Sequence, residues 1–241
     1  YVCHPSMAND ELSGLTVLTY LAKWLKDLNE REFTYRIVFI PETIGSLTYL
    51  SINHEEMKKN IFAGFNVACI GDERVYSYLP SRDGKTISDE IATHVLYWID
   101  PNFIRYTWLD RGSDERQYCA PGIDLPIASI MRSKYGAYPE YHTSLDNLQD
   151  VVTPKGLEGG YWAIRKALEL VERNKKFKVT VLGEPQMGKR NLYPTLSTKK
   201  IDKQVNLTMD LISMCDGNTS ILSIANELNV PAWDLYDLID T

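Results

Sequence analysis

Three observations predict an α/β fold followed by a small helical unit. Short β-branched and aromatic runs alternate with segments of helical periodicity from residue 15 to residue 174. Islands of His, Asp and Glu stand at the ends of those runs, where open α/β sheets gather their ligand sites. Beyond about residue 185 a turn-rich stretch leads into three short helical patterns.

The elements follow in order. LTVLTYLAKWLKDL (15–28) repeats hydrophobes at helical spacing after a Ser13-Gly14 start, so it predicts a helix packed on a sheet. TYRIVFIP (34–41), β-branched and closed by proline, predicts a buried strand of a mostly parallel sheet. HEEMKKNIFAGF (54–65) reads as a short helix ending near Gly64, and NVACIG (66–71) and RVYSYLP (74–80) as strands. SDEIATHVLYWID (88–100) opens with a serine cap and an acidic first turn, which favour a helix start. IRYTWL (104–109) and LPIASIM (125–131) are strands, and LEGGYWAIRKALELVERN (157–174) is a long helix. After FKVTVLGEP (177–185) the loop 186–200 is polar, and the patterns VNLTMDLISMC, SILSIANEL and AWDLYDLID follow. The Asn229-Val230-Pro231 turn between the last two resembles a helix-turn-helix. The expected division is a 1–185 α/β domain and a 186–241 all-helical, winged-helix-like unit. Tyr1-Val2-Cys3 has the character of a strand's last residues, so further strands or a domain upstream are expected.

Composition narrows the classes of function. A chain of 241 residues with 44% hydrophobic content buries one sizeable core. A formal charge of −6 with scattered basic residues offers no footprint for nucleic acid or an anionic membrane. AWDLYDLID carries three aspartates where a DNA-reading helix needs Arg, Lys, Asn or Gln, so the C-terminal unit is expected to contact another protein or a second copy of the chain. No apolar run approaches the ~20 residues that span a bilayer, and no leader precedes Tyr1, so a soluble, cytoplasmic protein is expected. Cys3, Cys69, Cys119 and Cys215 are widely spaced, without a CxxC pair, and read as small hydrophobes more than as a disulfide or zinc framework.

Chemistry concentrates in five islands: His4 with Asp10, Glu42 in PETIGS, Asp72 in IGDE, Ser113-Asp114 in RGSDERQY, and His142 in EYHTSLDNL. Imidazoles and carboxylates in this mixture suit one or two zinc ions, with a remaining glutamate as general base. Each has a plainer reading. Asp10 can cap the helix that follows it, and Asp72 can belong to a charged turn with Glu73 and Arg74. Asp114 either orients a ligand histidine or pairs with Arg111 or Arg116, and Asp146 shares a capped turn with His142 and Thr143.

Taken together, the motifs carry a family resemblance. HPSMANDELSG resembles the HxD…NDxxSG region of M28-type zinc aminopeptidases, PETIGS their EExG segment, GSDERQY…GIDLP their SDHxxF…GIP segment, and YHTSLDNL their YHTxxDT segment, in the right order over about residues 1–175. With SRDGKT and GEPQMGKRNLYP the set is similar to a group of bacterial aminopeptidase-like proteins, often named for polysaccharide biosynthesis, that carry a winged-helix-like C-terminal unit. The resemblance implies a three-layer, mostly parallel sheet of zinc-exopeptidase type and hydrolysis of a peptide or small amide, or a scaffold that keeps the fold without a working site. It implies that His4, Asp10 and Asp72 bind one zinc, that His142 binds a second bridged by Asp10, and that Glu42 is the general base. Asp114 and Asp146 would support these ligands from behind. Two residues depart from the pattern: Thr43 stands where the second glutamate ligand belongs, and Glu115 where SDHxxF has its histidine. Threonine is a poor zinc ligand, so either Glu42 enters the coordination sphere or the second site is weak or empty.

Overall fold

The run Ile127–Met131 (β4) forms the middle of a four-stranded sheet, and Ala128, Ile130 and Met131 are fully buried in it. The structure, a computed structural model, describes residues 1–190 and 203–240 and divides the chain into two units, Tyr1–Val171 and Glu172–Thr241. The first unit holds helices α1 (Ser13–Asp27), α2 (Ile44–Asn60), α3 (Ile87–Ile99), α4 (Glu115–Tyr118) and α5 (Pro154–Arg173), with strands β1 (Gly64–Asn66), β2 (Ser77–Leu79) and β3 (Ile104–Arg105). The sheet order is β1-β4-β2-β3. β1 runs parallel to β4 with Gly64 beside Ile127, β2 parallel to β3 with Ser77 beside Ile104, and β2 antiparallel to β4 with Ser77 beside Met131. This is the mixed α/β sheet that the alternating patterns imply.

Local chemistry explains the helix positions. Thr86, two residues before the expected serine cap, closes a capping box with Asp89 at the start of α3. Asp89 also accepts the Tyr78 and Ser81 hydroxyls at 2.7 and 2.6 Å, which ties α3 to the end of β2. α1 and α5 press their glycines on the backbone after β1: a Cβ on Gly14 would meet the Val67 carbonyl at 2.5 Å, and one on Gly156 the Gly71 carbonyl at 2.0 Å. Both helices therefore close on residues 67–72, the strand end beside which the polar islands collect.

Two elements differ from expectation. Residues 34–40 lie in no ladder, and within 34–41 only Pro41 pairs, parallel, with Val2. The segment's side chains are exposed or half-buried. α2 begins ten residues earlier than the periodicity suggests. Its first turns mix glycine, serine, threonine and isoleucine, which have low helix propensity, and burial of Ser46, Leu50 and Met57 on one face holds them helical.

In the second unit β5 (Lys176–Lys178) pairs antiparallel with β6 (Asp216–Ser220), beside α6 (Lys203–Met214), α7 (Ile221–Leu228) and α8 (Tyr236–Ile239). The unit is thus not all-helical. The start of FKVTVLGEP, inside the expected 1–185 domain, belongs to β5, which pairs with a strand more than thirty positions later, and the chain divides after Val171. Ser220 caps α7, and Asn229 closes it in the left-handed region at φ 52°. The polar loop expected at 186–200 falls largely outside the described residues. Among the described residues no helix is long and apolar enough to cross a membrane.

Candidate metal centre

His4, Asp10 and His142 converge although they lie on separate segments, and each offers a ligand atom within 4.8 Å of the others. The Asp10 carboxylate, 1% exposed, is the hub. Its Oδ2 stands 3.2 Å from His142 Nε2 and 3.8 Å from His4 Nδ1. The latter is too long for a hydrogen bond, and the buried His4 Nδ1 has no hydrogen-bond partner among the described residues. A buried polar atom without a partner is costly, and here it points to a ligand.

The backbone around Asp10 is built to aim it. Residues Ala8–Leu12 form a wide helical turn before α1, within which Asp10 leaves helical geometry at φ −104°, ψ 71°. The amides of Asn9 and Asp10 donate to the two Asp146 oxygens at 2.7 and 3.0 Å, and the Tyr138 hydroxyl donates to the second of these at 2.9 Å. The Tyr1 hydroxyl and the Cys69 thiol donate to Asp10 Oδ1. Burial, with the Asp10 charge adding to it, raises both of those groups far above their ordinary pKa, so they remain protonated donors. His142 occupies the left-handed region at φ 57°, and the Tyr141 ring stacks on it at 3.8 Å between centroids and 16° between planes.

Glu42 follows segment 34–41 and is half-buried, with its amide donating to the Val2 carbonyl. Burial first and the Asp114 charge second raise its carboxyl above the ordinary range, and the Asp10 charge acts the same way. The Cys3 thiol lies 3.8 Å from His4 Nε2 and beside Glu42, so it links the two. Glu42 therefore belongs to the same electrostatic neighbourhood as the triad.

The other candidates are placed differently. Asp72, 1% exposed, has both oxygens engaged: Oδ1 accepts from the Arg74 amide and the Ser133 hydroxyl, Oδ2 from the Ser133 amide and Asn9 Nδ2. It stands outside the converging group and ties β4's end to the Asn9 turn. Asp114 is engaged at the start of α2. Its Oδ1 accepts the Thr43 amide at 2.8 Å and the Ser46 hydroxyl at 2.9 Å, so it fixes the turn after Glu42. Asp146 supports the Asp10 backbone. Thr43, strained at φ 59°, has its hydroxyl taken by Arg116 at 2.7 Å. Glu115 is buried against Tyr135, Asn66 and the amides of Gly112 and Ser113. Sequence reading did not single out Tyr1 and Cys69 for this site. Cys69 lies within the NVACIG run (66–71), two residues from its end.

Comparison with known proteins agrees with this architecture. Residues 1–174 match the family described as a domain of unknown function (DUF4910), and residues 175–241 match the winged helix-turn-helix family. A Clostridium acetobutylicum protein named a polysaccharide biosynthesis protein with aminopeptidase-like domain is 38% identical over 229 residues, which cover 93% of this chain and 51% of that protein. A crystal structure of a peptidase, so titled, from the same organism superimposes with TM-score 0.88 at 35% identity, covering all of this chain and 53% of the other. The aminopeptidase of Aneurinibacillus sp. strain AM-1 shares the fold, with TM-score 0.51 at 17% identity over 68% of this chain and 39% of its own. The chain spans about half the length of the relatives it matches most fully.

Proposed function

The chain belongs to the DUF4910 family, a domain of unknown function, and on that premise we propose that its first unit is a zinc-dependent hydrolase of aminopeptidase type, acting on a peptide or small amide. One observation carries the reading: two imidazoles and a buried carboxylate converge within 4.8 Å, and the buried His4 Nδ1 has no hydrogen-bond partner among the described residues. Such a set fits zinc, and three protein ligands leave a coordination position open, as catalytic zinc sites do. A bound zinc ion lowers the pKa of water and polarises a carbonyl.

The chain's own residues supply the rest. His4, Asp10 and His142 would hold the ion, and Asp146 and Tyr141 fix two of them in place. Glu42 would accept the proton of the attacking water and return it to the departing amine, and its raised pKa makes it a stronger base than a free carboxylate. Asp114, through the Thr43 amide and the Ser46 hydroxyl, keeps Glu42's turn rigid. One ion is favoured over two, because the side chains that would complete a second site are committed elsewhere: Thr43 to Arg116, and Asp72 to Ser133, Asn9 and Arg74. Elemental analysis of protein purified without chelator tests this. One zinc per chain is expected, falling below one-tenth in Asp10→Ala, and metal-free protein that takes up no zinc on titration overturns the reading.

A further inference from the structure

His142 is the third residue of a turn closed at Thr143, whose amide and hydroxyl both donate to the Glu140 carbonyl, at 3.0 and 2.8 Å. Its φ of 57° lies in the left-handed region, which glycine or asparagine commonly takes at that place in a turn. A strained backbone persists only where its surroundings fix it. Residues 132–153 form neither helix nor strand, so this turn gains nothing from a ladder and depends on side chains.

Arg74 supplies such a side chain from a distant segment. Its guanidinium forks onto the Glu140 carboxylate, Nη1 donating to Oε2 at 2.7 Å and Nη2 to Oε1 at 2.9 Å. A bidentate pair of this kind fixes direction as well as distance. The backbone of Arg74 is set in turn by Asp72, whose Oδ1 accepts its amide at 2.9 Å, while Oδ2 accepts Asn9 Nδ2 at 3.3 Å. One short turn, 72–74, therefore ties together Asn9, the neighbour of Asp10, and Glu140, two residues before His142. The Arg74 side chain is exposed, and exposed ion pairs contribute little to global stability, so the effect of this pair is local.

We propose that Arg74 is the positioning residue for His142: its clamp on Glu140 holds the turn that presents the imidazole to Asp10, 3.2 Å away, before any ion binds. The inference rests on the metal-centre reading above and deepens it. It also gives the IGDER segment (70–74) a part in the site that does not need Asp72 to touch the metal.

Charge exchange tests it. In zinc titrations against a competing chelator, Arg74→Glu and Glu140→Arg should each weaken binding ~10–100-fold. Combined in one protein, the two should return the affinity to within ~3-fold of the parent. A field effect on the cation alone would move the single variants in opposite directions, so that result overturns the proposal. Weakening in both without recovery in the combined variant overturns the pairing. In metal-free protein the Thr143 amide should exchange ~10-fold faster in each single variant than in the parent, with recovery in the combined one and little change in the thermal midpoint. If the parent binds zinc and both single variants match it in affinity and in exchange, the clamp is overturned while the metal reading stands. A parent that takes up no zinc overturns that reading, and the clamp with it.

Discussion

The Asp146 carboxylate accepts the amides of both Asn9 and Asp10, so a residue from the last polar motif of the first unit holds the hub of the first motif in position. This bond pair makes the site a product of long-range packing. Asp146→Ala would leave two buried amides and the Tyr138 hydroxyl without an acceptor. The expected cost is about 2–4 kcal/mol in denaturant unfolding, with zinc affinity falling ~10–100-fold. A change under about 0.5 kcal/mol, within the range of ordinary surface substitutions, would show that the carboxylate does not brace the turn.

Glu42 has a separate role and a separate signature. Glu42→Gln removes the proton acceptor while keeping size and hydrogen bonding, so zinc content should stay that of the parent. Hydrolysis of a panel of aminoacyl amides should fall by ~10²–10⁴-fold. Unchanged turnover in that variant would remove Glu42 from the chemistry.

The close approach of α5 to the strand end can be tested by one methyl group. A Cβ at Gly156 would lie 2.0 Å from the Gly71 carbonyl oxygen, a backbone atom that cannot swing aside. Gly156→Ala should therefore destabilise by about 1–3 kcal/mol, because overpacking outweighs the helix-propensity gain of about 1 kcal/mol. Thermal unfolding measures it, and a stabilised variant would show that α5 can move outward.

Thiol labelling separates the cysteines. Cys69 and Cys119 are fully buried, and burial pushes the Cys119 thiol up to about 12, whereas Cys3 is exposed. At pH 8 in native conditions Cys3 should react with a maleimide at least ~10-fold faster than either, and the other two should react on unfolding. Native-state labelling of Cys69 at the rate of Cys3 would contradict the closed packing around Asp10.

Much of the fold was legible locally. The long helix after Pro154, the capped start of α3 and the buried run Ile127–Met131 all carry their signals within a few residues of one another. The early start of α2 was not legible, because Ile44–Asn53 has weak helix propensity and becomes helical by packing. Segment 34–41 reads as a strand, yet a strand needs a ladder neighbour, and within the segment only Pro41 has one here. In the site, residue types and motif order were legible for His4, Asp10, Glu42 and His142. The engagement of Asp72 by Ser133 was not, because its partner lies sixty-one positions away.

The sequence by itself determined the alternation of strands and helices, the winged-helix character of the last unit and the inventory of imidazoles and carboxylates, since each rests on local periodicity or on side-chain chemistry. Tertiary structure alone decided which of them meet. Bringing Asp10 against His4 and His142, committing Asp72 and Thr43 to other partners, and turning Asp114 and Asp146 into supports for backbone all depend on which buried polar group finds a partner first. That competition is settled by packing across the whole unit, because an unpartnered polar group in the interior costs more than any local preference can return.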